Sequence, residues 1–259
     1  MRQIEMSAKE LLVLTAHLGA ENLLGVRDPF ESLERADLAA EIPQILNDAE
    51  KKGLAELDFD GSFRVNPEAA DLLKLCAFCK KYISVEHSRN GQLQWGRNLY
   101  VGERLALLEQ AGGQVSIRET EPEQAVEALL TGDADALPPE TAKAEGQFDL
   151  PLARLSVLRE LPAEETVKRL TADGCPEHFA RLVSAALRQS AVCHVLTLAD
   201  YETGTMRSCI LIREGQDCAI LEVLETEEDT PLRVRGIDGA GLRALLELFL
   251  QQLLTKREA

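Results

Sequence analysis

The chain carries the same order of sequence patterns twice, and this repetition constrains the fold more than any other feature. Each copy predicts a helix, four strand-like runs and a second helix. The first copy has helices at Pro67–Lys81 and Glu121–Thr131, with strands at Tyr82–Ser88, Leu93–Val101, Glu103–Gln110 and Gln114–Glu119. The second has helices at Pro176–Gln189 and Ala240–Thr255, with strands at Ala191–Asp200, Met206–Arg213, Asp217–Thr226 and Leu232–Arg235. Two such meanders, each apolar on one face, bury more surface by packing about a pseudo-twofold axis than either does alone.

An amino-terminal segment precedes the first copy. Apolar residues recur at helical spacing over Ser7–Leu24, behind a Ser7–Glu10 capping box, and again over Arg35–Lys52. Residues 54–65 then alternate apolar and polar around Asp60-Gly61, which is a strong hairpin signal. Helix, helix, two-stranded wing and helix is the order of a winged-helix module.

The predicted fold class is therefore α+β: a pseudo-twofold duplicated helix/antiparallel-meander/helix unit with an amino-terminal winged-helix-like segment. The predicted domains are an amino-terminal half (1–132), an acidic linker and connecting segment (133–160) and a carboxy-terminal half (161–259). The linker is inferred from the Pro/Gly-punctuated, acidic composition of residues 131–147.

The charge of the chain limits its partners. With 28 Lys+Arg against 44 Asp+Glu, the formal net charge is −16, which repels nucleic acids and anionic membranes. The predicted helix Arg35–Lys52 would be the recognition helix of a DNA-binding winged helix, and it is itself net negative. The sequence after Met1 has no apolar run behind a basic start, and no window resembles a membrane span. We expect a cytoplasmic protein that binds no nucleic acid and does not insert into membranes.

The cysteines and histidines show no assembled catalytic or metal-binding pattern. Cys76 and Cys79 have the spacing of a zinc knuckle or a dithiol oxidoreductase, but their apolar helical context favours buried, reduced thiols. Cys209 and Cys218 flank a predicted hairpin, where they could face each other. His194 lies in an apolar strand and is predicted to be a core residue.

One glycine-rich motif formally resembles a dinucleotide fingerprint. Gly239–Ala244 follows a strand and opens a helix, yet Asp238 as a helix cap explains the same residues. We therefore predict a chain that is not an enzyme, with no catalytic residues, no cofactor and no metal. An enzyme that uses His194 or Cys193 is an alternative hypothesis, but no set of acid, base and nucleophile can be assembled for it from neighbouring motifs.

A hairpin around Asn90-Gly91 predicts a partner-binding site. A two-residue turn there places Leu93 and Trp95 on the face of Glu86 and Ser88, and an apolar pair on a polar face is a candidate anchor. A longer loop would instead shift the register by one residue and return Trp95 to the core. The predicted partner-binding residues are Arg89, Asn90, Leu93, Trp95, Tyr201 and Met206.

The element order and several segments resemble a known family. These segments are the helix Glu10–Gly19, the hairpin Arg207–Val223, the run Leu232–Arg235 and the leucine-rich final helix. Together they resemble the EspG-like type VII (ESX) secretion-associated chaperones, as a diverged member. The resemblance implies a cytoplasmic chaperone or adaptor that binds small helical-hairpin secretion substrates through its central sheet, an extended hairpin loop and carboxy-terminal helices. The alternative is a winged-helix transcriptional regulator with a carboxy-terminal sensor or dimerisation domain.

Overall fold

The computed structural model describes residues 2–31, 35–58, 62–131, 146–224 and 231–255. The amino-terminal part has β1 (Gln3–Ser7), α1 (Ala8–His17), α2 (Arg35–Lys51), β2 (Ala55–Leu57), β3 (Phe63–Val65) and α3 (Pro67–Ala77). The first meander is β4 (Lys81–Arg89), β5 (Gln92–Val101), β6 (Leu105–Ala111) and β7 (Gln114–Thr120), followed by α4 (Pro122–Leu130). The connecting part has β8 (Gln147–Pro151), α5 (Arg154–Glu160) and α6 (Ala163–Ala172). The second meander is β9 (Val192–Asp200), β10 (Thr205–Glu214), β11 (Asp217–Val223) and β12 (Pro231–Gly236), flanked by α7 (Glu177–Leu187) and α8 (Gly239–Leu254). The predicted α+β class and the repeated order of elements are confirmed.

The chain forms two compact units. Unit 1 comprises residues 1–82 and 97–129, and unit 2 comprises residues 83–96 and 130–259. The division therefore falls inside β4, after Tyr82, and inside β5, after Gly96. The domain limits that the sequence suggests, near residues 132 and 161, stay a prediction.

Unit 1 contains the winged-helix-like segment and a sheet with the order β1-β7-β6-β5. The helix, helix, wing, helix order is confirmed, while the Asp60-Gly61 turn lies outside the described residues. The capping box is present as well: the Ser7 hydroxyl accepts from the Glu10 amide, and the Glu10 carboxylate accepts from the Ser7 amide. The first helix ends at His17, which is earlier than the expected Leu24.

The strand β1 is absent from the expectation because only five residues form it. It pairs antiparallel with β7, with Met6 opposite Val115 and Ile4 opposite Ile117. Met6 and Ile117 are fully buried. The sequence of such a short segment does not by itself indicate a strand, because the strand with which it pairs lies more than a hundred residues away.

Unit 2 contains a longer row of strands, with the order β5-β4-β9-β10-β11-β12-β8. The pairs from β9 to β12 and from β12 to β8 are antiparallel. The first strands of the two meanders, β4 and β9, are thus neighbours in one sheet. The sequence suggested packing of two sheets through their apolar faces, whereas here the meanders meet through strand pairing, which also satisfies backbone groups at the strand edge.

Helices α5, α6 and α7 cover one face of the unit 2 sheet. Ile212 of β10 and Ala219 of β11 are cross-strand partners. Both are fully buried in one cluster with Phe179 of α7 and Leu170 of α6. Each fully buried Ile, Leu or Phe side chain of this set contributes about 1.5–3 kcal/mol to stability. Helix α8 has a second apolar stripe at helical spacing, formed by the buried residues Leu242, Leu246, Phe249, Leu250 and Leu253. Among the described residues, no helix has both the length and the apolarity needed to span a bilayer.

Arg188, just after α7, ties three helices of unit 2 together. Its guanidinium donates to the Leu161 carbonyl, to the Thr166 hydroxyl at 2.9 Å and to the Ser184 carbonyl at 2.9 Å. Thr166 is fully buried, and its hydroxyl also donates to the Leu158 carbonyl at 3.1 Å. One cation therefore satisfies several polar groups that would otherwise lie buried without a donor.

We expect Arg188→Met to lower the free energy of unfolding by about 2–4 kcal/mol, because it removes charge-assisted hydrogen bonds and leaves carbonyls without donors. The matched control is Arg181→Met, which removes an exposed ion pair with Glu177 on the same helix and should cost less than about 0.5 kcal/mol. Urea unfolding followed by circular dichroism measures both. Equal losses in the two variants would contradict the role assigned to Arg188.

Candidate functional site

An open groove in unit 2 is a candidate site for a partner. We call it the β10–α8 groove; it has a volume of about 1030 Å³. Its walls are formed by residues 204–209 at the start of β10, by residues 222–224 at the end of β11, and by the α8 residues Leu245, Leu248 and Phe249. Arg235 of β12 also lines it.

Three apolar side chains of this groove point into solvent. Met206 is 68% exposed, and Val223 and Leu248 are each 48% exposed. Single exposed apolar residues are ordinary on a protein surface, but three that converge on one groove form a patch of the kind that marks interaction sites. Methionine suits such a site because its flexible thioether adapts to different partner shapes.

Tyr201 lies beside the groove, in the turn that joins β9 to β10. Its side chain is 53% exposed. The turn is fixed by the Asp200 carboxylate, which accepts from the Glu202 amide at 2.9 Å and from the Thr203 amide at 3.3 Å. Thr205 pairs with Asp200, so Tyr201 and Met206 sit at the same end of the β9–β10 hairpin. The structure therefore brings these two predicted partner-binding residues near each other.

Two of the charged residues that line the groove, Arg235 and Glu222, are paired with each other. Arg235 donates to both carboxylate oxygens of Glu222, at 3.0 and 3.3 Å. On the outer strands Arg233 donates to both oxygens of Asp149, and this hydrogen bonding lowers the pKa of the Asp149 carboxyl below its ordinary value. The groove thus combines exposed apolar side chains with a polar rim that includes the Arg235–Glu222 ion pair, which is the arrangement typical of protein interfaces.

The β4–β5 hairpin has the predicted two-residue turn. Asn90 and Gly91 both have positive φ angles, 53° and 71°, as a type I′ turn requires. The Gln189 side chain lies over Gly91, where a Cβ atom would approach its Oε1 to 2.1 Å. Arg89 and Asn90 are exposed, and Leu93 is half-buried.

Trp95 does not lie where a regular ladder from this turn would put it. Such a ladder places Trp95 opposite Glu86, on the other face from His87. In the structure the half-buried indole stacks on His87, with ring centroids 5.2 Å apart, and lies 5.8 Å from the His194 ring. The ring contacts therefore place the indole on the face of His87, which a strict ladder from the two-residue turn does not predict. The indole turns inward as in the alternative interpretation, but with the short turn kept.

Four of the six cysteines are buried, and Cys79 and Cys193 are half-buried. Cys76 of α3 is buried, and burial raises the pKa of its thiol well above the ordinary range; the pKa of the Cys209 thiol rises to about 12 for the same reason. Cys209 pairs with Glu222 and Cys218 pairs with Arg213, so the expectation that these two thiols face each other is wrong. Thiols that stay protonated are poor nucleophiles and poor metal ligands.

The remaining motifs have structural explanations. The Asp238 side chain accepts from the Gly241 amide at 2.7 Å and caps α8, as expected for the glycine-rich segment. His178 lies in the first turn of α7. His194 is buried in β9, as predicted. In the part of the chain that the structure describes, no group of three or more His, Cys, Asp or Glu side chains could hold a metal ion.

The eight described helices and the large antiparallel sheet together define an EspG-like fold. The solved structure behind this comparison is the Mycobacterium tuberculosis type VII secretion system chaperone EspG5 in complex with a PE25–PPE41 dimer. The TM-score is 0.63 with 12% sequence identity, and the similarity covers 98% of this chain and 96% of that one. The expected resemblance is thus confirmed for the fold. No family model and no curated protein matches the sequence.

Two leucines of α8 test whether the groove is a free surface. Leu246 is fully buried, so Leu246→Ala should lower the free energy of unfolding by about 2–5 kcal/mol. Leu248, which faces the groove, should lose less than about 1 kcal/mol on the same substitution. Urea unfolding of both variants measures the difference. A loss at Leu248 as large as that at Leu246 would mean that the groove is part of the core.

Proposed function

We propose that this protein is a cytoplasmic, non-enzymatic chaperone or adaptor that binds a small helical-hairpin substrate of a type VII secretion system. The observation that carries the proposal is the exposed apolar β10–α8 groove in a chain with an EspG-like fold. The structural neighbour EspG5 is a type VII secretion chaperone in complex with a PE25–PPE41 dimer, which supports a protein partner for this chain.

The groove suits one side of an amphipathic helix or the tip of a helical hairpin. Such a partner exposes apolar residues at helical spacing, and a preformed groove can cover them without unfolding the partner. Burial of apolar surface yields about 25 cal/mol per Å², less the entropy lost on association. Met206, Val223 and Leu248 supply that apolar surface here.

The β4–β5 hairpin is proposed as a second contact. Arg89 and Asn90 are exposed at its tip, and Leu93 is half-buried beside them. Trp95 supports the hairpin from below by stacking on His87, so its contribution to binding is indirect. Tyr201 and Met206 are proposed contacts at the groove.

The test is co-expression with candidate small helical-hairpin proteins, followed by size-exclusion chromatography and calorimetry. We expect a 1:1 complex, weakened at least tenfold by Met206→Asp and by Leu248→Asp because each places a charge in an apolar contact. The matched control is Val157→Asp, since Val157 is 63% exposed on α5, away from the groove residues in sequence. Circular dichroism should be unchanged in all three.

The same complex tests the hairpin contact. Leu93→Asp should weaken binding, whereas Gln94→Asp at the exposed neighbouring position should not. Trp95→Ala is expected to weaken binding together with a loss of stability, since the stacked indole is removed. Full affinity in the Met206, Leu248 and Leu93 variants would overturn the proposed site.

The regulator alternative is disfavoured by the charges around α2. The Lys51 ammonium pairs with Asp48 at 3.0 Å and Lys52 pairs with the buried carboxylate of Glu10 at 2.6 Å, while Lys9 pairs with Glu41. Cations held by carboxylates in this way are not available for phosphate contacts, which non-specific DNA binding needs.

A gel-shift assay with duplex DNA at low salt separates the two functions. We expect no retention of the duplex, because low salt strengthens the repulsion between a chain of net charge −16 and a polyanion. A basic winged-helix domain of known DNA affinity serves as the positive control. Salt-sensitive retention by this protein would favour the regulator.

A further inference from the structure

Two buried histidines join the β4–β5 hairpin to β9 inside unit 2. The Nδ1 atom of His87 lies 3.0 Å from the Nε2 atom of His194. His87 is 4% exposed and His194 is 1% exposed, and the Trp95 indole stacks on the first of them. We call His87, His194 and Trp95 the ring cluster.

Two further contacts connect the β4–β5 hairpin to β9 and to the residues just before β9. The Ser88 hydroxyl donates to the Cys193 carbonyl at 3.4 Å, and the Gln189 side chain covers Gly91. Along these contacts the residue number rises on the hairpin as it falls on the other side, as antiparallel neighbours require. The histidine pair is the part of this attachment that can change its protonation.

The histidine pair has room for one shared proton only. A hydrogen bond between two ring nitrogens needs one N–H and one lone pair. The His194 Nδ1 atom is buried and makes no hydrogen bond to the residues that the structure describes. A bare lone pair there costs less than an N–H without an acceptor, so we assign the proton to His194 Nε2, which donates to His87 Nδ1.

An additional proton has no favourable place in this arrangement. On His194 Nδ1 it creates a buried cation whose new N–H lacks an acceptor. On His87 Nδ1 it sets two N–H groups against each other, unless His194 moves its own proton to Nδ1. Each outcome loses a hydrogen bond or buries a donor without a partner, in addition to the cost of burying a charge.

The surroundings add to this cost. Burial is the main cause that lowers the pKa of His194 to about 3, and the nearby His87 and the Arg213 guanidinium on β10 contribute to the same shift. Cys193, next to His194 on β9, is neutral because burial raises the pKa of its thiol. On β4, Glu86 precedes His87 and so points to the other face of the sheet, while Arg89 stands at the exposed end of the strand. On β5, Arg97 is paired with Glu109.

We propose that the His87–His194 pair is a proton-sensitive latch. While the two rings share one proton in their hydrogen bond, the pair holds the β4–β5 hairpin against β9. When the pair takes up a second proton, the hairpin is released from β9. Once opened, the rings meet water and regain the ordinary histidine pKa of about 6.5. Below that pH, the form with the hairpin released binds protons that the form with the hairpin attached does not bind. The equilibrium constant for opening therefore rises as the pH falls, by up to about tenfold per pH unit for each histidine.

Hydrogen–deuterium exchange of the full chain between pH 7.0 and pH 4.5, corrected for intrinsic exchange, tests the latch. Protection in peptides covering 87–95 and 192–196 should fall at least tenfold more than in the β10–β11 peptide 209–222, which is an internal reference. The emission of Trp95, the only tryptophan, should change over the same pH range.

The matched variant is His87→Gln with His194→Gln, in which amides keep the capacity to hydrogen-bond but cannot take up a proton in this range. We expect it to lose the difference between the hairpin and the reference peptide. An equal loss of protection in all peptides of the unsubstituted protein would overturn the proposal, and so would a difference that persists in the double variant. If the double variant does not fold, the comparison of peptides within the unsubstituted protein still decides.

Discussion

Pairing between the first strands of the two meanders is the interaction on which unit 2 depends. A meander alone leaves the backbone groups of both outer strands open to other chains. Here β4 covers the free side of β9, and β8 covers the free side of β12. The helices α5, α6 and α7 can then bury one face, while α8 and the ends of β10 and β11 are left to shape a groove.

Local patterns predict the elements whose stability is local. The alternation of the eight meander strands, the capping box before α1 and the apolar stripe of α8 all correspond to observed elements within a few residues. The strands β1 and β8 escape such patterns because each is five residues long and is stabilised by a partner distant in sequence. Helices α5 and α6, which follow β8 in the chain, have few buried residues of their own.

The candidate site was predictable only in part, because some of its residues are placed by contacts distant in sequence. Tyr201 lies in a turn and Met206 is an apolar residue next to that turn, and the sequence indicates both positions. Leu248 belongs to the leucine-rich α8, where sequence alone does not tell a residue of the groove from a core residue such as Leu246. The inward position of Trp95 goes with its stacking on His87, which in turn contacts His194 more than a hundred residues away, and no spacing in the sequence indicates that contact.

The close approach of Gln189 to Gly91 has a consequence for how this protein can change over evolutionary time. Gly91 has a left-handed backbone, and the Gln189 side chain, from almost a hundred positions away, occupies the space that a Cβ atom would need. Homologous sequences with this tight turn should retain glycine at position 91. A lineage that replaced the glycine would have to move or shorten the side chain at position 189 as well, so these two columns are expected to covary.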